Sequence, residues 1–443
     1  MTPDATYNRL CTEALDRALR FVPAYESWQD RDPGTAAPVD ARFAALPRLT
    51  KQDIRLHTAR GFVPAGLDLE TAFRNEVVEF VSTSGTTDEK VVNIWNQRWW
   101  DASEAASWKL NSHAASARLG RHREAILTSP FCTGVPSDNG PVAYADRRLG
   151  RFLYLNEYWD PSTWTDGHYR RMVDELNRFR PRVLEANPSM LALLARFITV
   201  SGIHVFQPEL IVLTYEFPSR IHYRLIRQAF SSPVASSYGT TEAGYVFMEC
   251  EAGKLHQNTL SCRVDFQPLK PEHGGPHTGR IFVTTFHNEW YALVRFDVGD
   301  LVTLSEGNGC TCGRGGGFVA DRMAGRVKNI ILDTNGRGIV PDRIDRALAQ
   351  EPAVLHYQLI QAAQNDYRIE LYCDRDSTHD VSNAVTLRCR ELLGGDARIE
   401  VAVTDTVPRP DPPGKYRLVK PLVFVDAERL FENHEIPLKG SDA

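Results

Sequence analysis

The sequence lacks the features that mark membrane-spanning, secreted and nucleic-acid-binding proteins. No apolar run approaches the ~18 residues of a membrane span, and the first residues lack the basic and apolar regions of a signal peptide. Neither sign of charge forms a long run, and 51 Lys plus Arg against 56 Asp plus Glu leave a net charge of −5. We therefore expect a cytoplasmic protein whose partner is neither a membrane nor a nucleic acid.

Internal repeats, low-complexity tracts and a disulfide framework are also missing. The eight cysteines form one close pair, and a long chain without a secretion signal favours reduced thiols or a metal site. With 443 residues, of which 42% are apolar, the chain has ample material for a core. This length predicts two or three domains, because a single core stops growing near ~300 residues.

The apolar pattern predicts a helical N-terminal cap followed by alternating strands and helices. Each β-rich run is followed by a polar turn and a helical stretch, which predicts a mostly parallel sheet covered by helices. Two later runs predict antiparallel strands of a β-subdomain. The runs of the parallel sheet are residues 77–81, 125–127, 182–184, 210–213 and 234–235, and those of the β-subdomain are residues 280–285 and 292–296.

The composition changes after Gly325, where a compact α+β unit begins. The expected fold class is therefore α/β, with a large N-terminal domain over residues 1–327 and a small α+β C-terminal domain over residues 328–443. The predicted strands of the small domain are residues 330–332, 355–360, 367–372 and 398–403, and its predicted helices are residues 341–348 and 381–393.

Four short motifs carry residues suited to nucleotide chemistry. Residues 81–87 read V-S-T-S-G-T-T, and such a loop can present backbone N–H groups and hydroxyls to phosphate oxygens. Residues 237–242 read S-Y-G-T-T-E and offer an aromatic ring, hydroxyls and a carboxylate for Mg²⁺. Each of these two motifs, taken alone, also fits a plain polar turn.

The other two motifs lie further along the chain. Residues 295–300 read R-F-D-V-G-D, in which Asp300 could accept both hydroxyls of a ribose, although a Gly-Asp hairpin turn has the same pattern. Residues 414–417 read G-K-Y-R, and Lys415 lies on a proline-rich loop, although most lysines are simply solvated. The order of all four motifs is therefore more informative than any one of them.

In this order the motifs resemble those of the adenylate-forming, or acyl-activating, enzyme superfamily. Its members carry a T-S-G-T-T loop, Y-G-x-T-E, G-D, a G-R before a hinge, here Gly325 and Arg326, and a final G-K-x-R. The resemblance spans about residues 77–417, and residues 283–300 are similar to the phenylacetate–CoA ligase branch. It implies a ligase that uses ATP and Mg²⁺ to turn a carboxylic acid into an acyl-adenylate, releasing pyrophosphate. It also implies that the C-terminal domain is mobile and rotates about a hinge at Lys328.

The resemblance assigns a role to each matching residue. Lys415 bridges the carboxylate and the α-phosphate, Thr241 contacts the α-phosphate, and Glu242 holds Mg²⁺. Asp300 and Arg326 fix the ribose. The other expected nucleotide-binding residues are Ser84, Gly85, Thr86 and Thr87 at the phosphates, Tyr238 at the adenine, and Tyr215, Glu216, Gly239 and Thr240 beside them.

The acid pocket is expected, by position in the family, around residues 129–134, 215–217 and 236–244. Aromatic residues in and beside these segments make it suited to an aryl or other flat acid, although aromatics of the core beneath the sheet would give the same pattern. The expected lining residues are Phe131, Cys132, Gly134, Ser236 and Gly244.

Departures from the family pattern bear on the acceptor of the acyl group. Asp88 replaces a glycine near the leaving pyrophosphate, Asp297 and Val298 replace a basic residue and a threonine, and the loop at residues 333–341 is longer. CoA is the first expected acceptor, and an amine, a carrier-protein thiol or another nucleophile is the rival. A zinc-stabilised binding module with decayed nucleotide motifs is a third reading, against which the retained site carboxylates and lysine argue.

The close cysteine pair belongs to a candidate metal site. Cys250 shortly precedes His256, and Cys310 and Cys312 follow in a later segment, which gives three thiolates and one imidazole. This set suits a tetrahedral structural Zn²⁺ site, while reduced, partly buried thiols are the alternative that the spacing leaves open. Similar clusters in phenylacetate–CoA ligase relatives favour zinc in a stabilising role.

The sequence leaves the oligomeric state open, a homodimer included.

Overall fold

The computed structural model of the chain describes residues 3–82, 91–117, 122–132, 140–373, 378–412 and 414–436. Its α-helices are α1 Pro3–Phe21, α2 Val39–Ala45, α3 Lys51–His57, α4 Leu69–Arg74, α5 Gln97–Trp108, α6 Ser112–Ala117, α7 Tyr144–Arg147, α8 Asp166–Phe179, α9 Pro188–Ser201, α10 Arg220–Ala229, α11 Pro341–Leu348 and α12 Thr378–Leu393. Short 3₁₀ helices include Pro23–Arg31, Ala59–Phe62, Pro130–Cys132, Pro161–Thr163, Pro271–His273, Glu306–Asn308, Val327–Asn329 and Ala427–Leu430. Within these ranges, none of the helices combines the length and apolar character that a membrane crossing requires.

The strands in chain order are β1 Glu79–Ser82, β2 Val92–Trp95, β3 Glu124–Leu127, β4 Arg148–Leu149, β5 Phe152–Tyr154, β6 Val183–Ala186, β7 Leu210–Leu213, β8 Val234–Thr240, β9 Gly244–Glu249, β10 Leu255–Gln257, β11 Cys262–Pro268, β12 Thr278–Thr285, β13 Phe296–Leu304, β14 Val319–Arg326, β15 Ile331–Leu332, β16 Gly338–Ile339, β17 Val354–Ala363, β18 Asp366–Cys373, β19 Arg398–Thr404 and β20 Val419–Pro421.

Twelve of these strands form one continuous mixed sheet in the order β11-β12-β13-β14-β10-β9-β8-β7-β6-β3-β5-β4. The neighbouring strands from β8 through β7, β6 and β3 to β5 run parallel. From β8 onward to β11, the neighbours are antiparallel. The expected α/β class is confirmed, and the β-subdomain is the antiparallel half of the same sheet.

Helices cover both faces of the parallel strands. On one face, Leu191 of α9 packs in a core cluster with Leu184 of β6. On the opposite face, Trp108 of α5 packs with Val183 of β6 and Val212 of β7. Because successive residues of a strand point to opposite faces, these short apolar strands are buried on both sides.

The N-terminal helices cover the antiparallel half. Leu15 of α1 and Phe43 of α2 belong to the same buried cluster as Val264 of β11 and Ile281 of β12. The helical cap that the apolar spacing predicts is therefore present, and it packs on the part of the sheet that lies outside the parallel strands.

Two of the strand predictions are wrong. The run at residues 77–81 becomes β1, which pairs with β2 in a separate antiparallel sheet and is largely exposed, so it is not a covered parallel strand. The run at residues 292–296 is irregular, and β13 begins only at Phe296. The reason is local: Arg295 has a φ of 52°, which takes the backbone out of the extended region before the strand starts.

The residues after β14 form a small four-stranded sheet in the order β19-β18-β17-β20. Val385 of α12 packs with Ile369 of β18 in the core cluster that also contains the helices of the large sheet. Asp345 of α11 accepts hydrogen bonds from the Ser219 hydroxyl and, at 3.0 Å, from the backbone N–H of Arg220. The division at residues 327 and 328, and a rotation of the second part, stay predictions.

Candidate functional site

The loop that carries Lys415 lies at the edge of the parallel strands. Gly414 has a φ of +100°, and a Cβ there would lie 2.6 Å from the backbone oxygen of Trp159, so the close approach requires glycine. The next backbone N–H, that of Tyr416, donates to the carboxylate of Glu216 just after β7. The tertiary structure thus brings Lys415 to the segment that the sequence predicts for substrate binding.

Glu216 and Cys132 are the neighbours of Lys415 on the large sheet. Burial raises the pKa of Glu216 to about 7, against hydrogen bonds from Ser189 and Tyr416 and the positive charge of Lys415. Burial likewise raises the pKa of the Cys132 thiol, and Lys415 acts in the opposite direction. A carboxyl, a thiol and an ammonium group therefore lie near one another in a half-buried region.

Three of the predicted nucleotide-binding residues form a hydrogen-bonded chain. The Tyr238 hydroxyl donates to Asp300 Oδ2 at 2.8 Å, and Arg326 Nε donates to Asp300 Oδ1 at 3.1 Å. Asp300 of β13 and Arg326 of β14 lie opposite each other in the strand register. Burial and then the charge of Asp300 raise the pKa of Tyr238 well above its ordinary range. The expected adenine and ribose residues are therefore adjacent.

The turn between β8 and β9 carries Thr240, Thr241 and Glu242. The Thr240 hydroxyl oxygen accepts the N–H of Ala243 at 3.1 Å, which closes the turn. Glu242 is buried, and its carboxylate lies 3.8 Å from the ammonium nitrogen of Lys51. A carboxylate oxygen is the donor that Mg²⁺ prefers, and Mg²⁺ takes one or two carboxylates together with substrate phosphates, so Glu242 fits this ion.

The other predicted residues of this region frame the same turn. In the register of β8 and β9, Gly239 lies opposite Tyr245 and Thr240 lies opposite Gly244. The backbone N–H of Ser236 donates to Glu249 Oε2 at 2.6 Å. Ser236 and Gly239 therefore lie on the same strand as Tyr238, and Gly244 lies on the neighbouring strand.

Positive side chains lie around Arg326, the last residue of the hydrogen-bonded series Tyr238–Asp300–Arg326. Burial, followed by the charges of Arg326, Arg417 and Lys51, lowers the pKa of Lys328 to about 8. Positive side chains this close together repel one another, and an anion bound among them offsets that repulsion. The region therefore suits phosphate groups.

Several predicted residues are not assembled in this way. Phe131 is 59% exposed, so its ring stays largely in solvent. Tyr215, expected at the nucleotide, donates its hydroxyl to Glu185. Ser84, Gly85, Thr86, Thr87 and Gly134 lie outside the described residues.

The predicted metal ligands come together. Cys250 Sγ lies 3.6 Å from Cys310 Sγ, and Cys312 Sγ lies 3.3 Å from His256 Nε2. The four ligand atoms all lie within 4.8 Å of one another. Bonds of about 2.3 Å to sulfur and 2.0 Å to nitrogen around a tetrahedral ion place the ligand atoms at separations of this size. The donor set and its geometry therefore fit Zn²⁺.

Sequence reasoning missed a group of acidic residues and one lysine. Glu185 and Glu124 are buried on strands of the parallel half. Charged residues are rarely buried, so their position within or beside runs predicted to be covered by helices already indicated a functional role. Glu104 on α5 and Lys51 on α3 had no such signal, because only the tertiary structure brings these helices to the site.

Comparison with known proteins identifies relatives of the fold. No protein-family model and no curated protein sequence matches the chain. A structure of 2-hydroxyisobutyryl-CoA ligase in the postadenylation state matches with a TM-score of 0.69 at 16% identity, covering 96% of this chain and 90% of that one. The anthranilate CoA ligase AuaEII matches with 0.51 at 13%, covering 75% and 64%. The amide bond synthetase McbA from Marinactinospora thermotolerans matches with 0.51 at 14%, covering 77% and 68%.

The arrangement of the whole chain also matches one state of a relative better than another. The same 2-hydroxyisobutyryl-CoA ligase in its thioesterification state gives a TM-score of 0.56 at 16% identity, covering 95% of this chain and 90% of that one. The postadenylation state, at 0.69, is the more similar of the two. The resemblance in the motifs is thus confirmed at the level of the fold: this chain has the fold of the adenylate-forming ligases.

Proposed function

We propose that this chain is an adenylate-forming ligase, which activates a carboxylic acid with ATP and Mg²⁺ and then transfers the acyl group to a nucleophile. The observation that carries the proposal is the position of Lys415. Its loop lies against Glu216 at the edge of the parallel strands, in the region where the Tyr238–Asp300–Arg326 chain and Glu242 also lie.

The reaction requires charge neutralisation at a phosphate. An oxygen of the substrate carboxylate attacks the α-phosphorus of ATP, the new C–O–P linkage forms, and the bond to the β-phosphate breaks, so that pyrophosphate leaves. Lys415 offsets the negative charge shared by the carboxylate and the α-phosphate, and Thr241 adds a hydroxyl donor. Glu242 would hold Mg²⁺, which supplies further positive charge to the phosphates.

The remaining residues of the site position the nucleotide. Tyr238 offers a half-buried aromatic ring for the base, and Asp300 offers carboxylate oxygens to the ribose hydroxyls, held in place by Arg326. Lys51 and Lys328 supply positive charge to the leaving pyrophosphate. Two separate groups of residues thus hold the two ends of ATP, while Lys415 acts at the bond that changes.

A second half-reaction requires Lys415 to leave. In the proposed cycle residues 328–443 rotate after adenylation, so that the acceptor reaches the acyl carbon, expels AMP and takes the acyl group. We call the observed arrangement, with the Lys415 loop against Glu216, the docked arrangement. Its fold is more similar to a postadenylation state than to a thioesterification state, which supports its assignment to the first half-reaction.

CoA is the proposed acceptor, and an amine is the second candidate. Structures of CoA ligases cover most of the chain, which favours a thiol of CoA. The likeness in fold to an amide bond synthetase favours an amine as the alternative. For the acid, we propose an aryl or other flat body, because two aromatic residues, Tyr215 and Tyr245, adjoin Glu216 and the β8–β9 turn in the chain. The Cys₃His cluster is proposed as a structural Zn²⁺ site, because four protein ligands leave no open position for a substrate.

The direct test is ATP–pyrophosphate exchange with a panel of aryl and aliphatic acids. Lys415→Ala should lower the exchange rate by roughly 100-fold or more while ATP affinity changes only a few-fold, because the lysine acts in the transition state. Lys420→Ala, which removes a half-buried lysine of β20, is the matched control and should exchange normally. Normal exchange by Lys415→Ala, with an acid that wild type accepts, would contradict the proposal.

A further inference from the structure

Three glutamates lie between the parallel strands and helix α5. Val183 of β6 packs on Trp108 of α5, and Glu185, two residues later on the same strand, faces the same side. Glu124 begins β3, the neighbouring strand, and Glu104 lies on α5 itself. Glu124 and Glu185 are 4% and 7% exposed, so these carboxyl groups belong to the interior.

Among the three glutamates, Glu124 makes the ion pairs of this region. Glu124 Oε2 lies 2.9 Å from His122 Nε2 and accepts a hydrogen bond from Arg151 at 3.2 Å. Within the part of the chain that the structure describes, Glu104 and Glu185 have no cation at ion-pair distance. Three carboxyl groups thus face two cationic or potentially cationic side chains.

Tyrosines are the partners of the other two glutamates. The Tyr215 hydroxyl donates to Glu185, and the Tyr245 hydroxyl donates to Glu104 Oε1 at 3.1 Å. Burial, followed by the charge of Glu124, raises the pKa of Glu104 to about 7 and raises that of Glu185 as well. A cation placed between these two carboxyl groups would remove the cost of ionising them.

Two buried serine hydroxyls belong to the same layer between the sheet and α5. Ser237 lies two residues after Ala235, which packs on the α5 side of the sheet, and Ser107 lies one turn after Glu104 on α5. Their side-chain oxygens have no hydrogen-bond partner among the described residues, and the two serines are 4% and 0% exposed. Buried hydroxyls normally have a hydrogen-bond partner, so this pair favours a polar ligand group beside the glutamates.

The glutamate group adjoins the proposed adenylation site. Tyr215 immediately precedes Glu216, which contacts the Lys415 loop, and Tyr245 lies opposite Gly239 in the strand register. A substrate whose carboxylate lies near Lys415 therefore extends its other end towards Glu185 and Glu104.

We propose that the acid activated by this chain carries a protonated amine, bound between Glu104 and Glu185, with Tyr215 and Tyr245 beside its hydrocarbon body. This inference rests on the proposed function and narrows it. An ammonium group offers three donors and one positive charge, which match two carboxylates and the hydroxyl of Ser237. A neutral aryl acid would supply neither a positive charge to these two carboxyl groups nor a hydrogen-bond partner to the Ser237 hydroxyl.

The test compares acids that differ only in the amine. ATP–pyrophosphate exchange is measured with 4-(aminomethyl)benzoate against 4-ethylbenzoate, and with 5-aminopentanoate against hexanoate, since each pair exchanges NH₃⁺ for CH₃. Wild type should prefer the amino member of at least one pair by about 100-fold in kcat/KM, because a site built for a hydrogen-bonding group rejects its apolar analogue. Calorimetric titration without ATP should give the same order of binding.

Two variants test whether Glu185 and Glu104 bind the amine of the substrate. Glu185→Gln and Glu104→Gln should each reduce the amino-to-neutral ratio of kcat/KM by about 10-fold or more. The control is Asp101→Asn, which neutralises an exposed carboxylate of the same helix, bonded by Gln97, and should leave the ratio within about twofold. Thermal unfolding of each ligand-free variant shows whether it is folded, and the wild-type comparison stands even if one is not.

The outcomes separate the two proposals. Exchange with neutral acids at least as fast as with their amino partners, or ratios unchanged in both glutamate variants, would overturn the amine inference while supporting adenylation. Exchange with no acid of either class would overturn the proposed ligase itself, and the amine inference with it.

Discussion

Glu216 is a half-buried residue in direct contact with the loop of Lys415. Its carboxylate accepts hydrogen bonds from the Ser189 hydroxyl at 2.7 Å and from the backbone N–H of Tyr416. Burial is the largest influence on this group and raises its pKa from 4.5 to about 7. A carboxyl group that titrates near neutrality couples the stability of this contact to pH.

The pH dependence has a definite sign. Between pH 4.5 and about 7 the folded protein binds a proton at Glu216 that the unfolded chain has lost, so this group's contribution to stability falls as the pH rises through the folded pKa. Glu216→Gln removes that loss. The unfolding free energy of the variant should therefore gain up to about 3 kcal/mol on wild type between pH 4.5 and 8.

Urea unfolding at several pH values measures this difference. Glu70→Gln, which neutralises an exposed carboxylate of α4, is the control and should keep the wild-type slope. A Glu216→Gln variant whose stability follows that of wild type at every pH would show that the carboxyl group is not held near neutrality.

At the scale of elements, the Cys₃His cluster links β9 and β10 to the long connection between β13 and β14. Cys250 follows β9, His256 lies on β10, and β10 pairs with both β9 and β14. Cys310 and Cys312 lie in the connection between β13 and β14. A metal ion would therefore fasten that connection to the middle of the antiparallel half.

Elemental analysis of purified protein should find one zinc ion per chain. The Cys310→Ser and Cys312→Ser double variant should lose the metal and more than about 2 kcal/mol of unfolding free energy, because two of four ligands are gone. Cys389→Ser, a buried cysteine of α12 outside the cluster, should keep its zinc. Native wild-type protein free of zinc would exclude the site.

At the scale of the whole molecule, polar contacts tie α10 to α11. Arg220 donates to Asp342 at 2.7 Å and to Asp345 at 3.0 Å, and Asp345 is fully buried. Ser219 donates to the same Asp345. If residues 328–443 rotate between half-reactions, these contacts break and re-form in each cycle, so their strength sets the balance between the two arrangements.

Arg220→Ala should shift this balance away from the docked arrangement, because Asp345 would lose a partner within the protein. We expect adenylation to slow by about 10-fold, acyl transfer from preformed acyl-adenylate to stay near wild type, and the radius of gyration in solution scattering to increase. Arg227→Ala, which removes an exposed arginine of the same helix, is the control. Slower acyl transfer with normal adenylation would contradict this role.

Local patterns were enough to predict the α/β class, the helical cap and nine of the eleven strands that the sequence analysis names. Periodicity and turn residues act over a few neighbours, so they are legible in the chain itself. The same locality explains the two failures: the run that becomes β1 is as apolar as a covered strand, and the positive φ of Arg295 has no signature in residue type.

Contacts between distant segments settled the rest. The approach of Lys415 to Glu216, the Lys51–Glu242 pair and the meeting of Glu104 with Glu185 each join segments far apart in the chain. Residue types and spacing carry no information on how α5 lies across β6, or on which carboxyl groups lose their water there. Burial and charge, which set the chemistry of this site, are properties of the packed molecule rather than of its motifs.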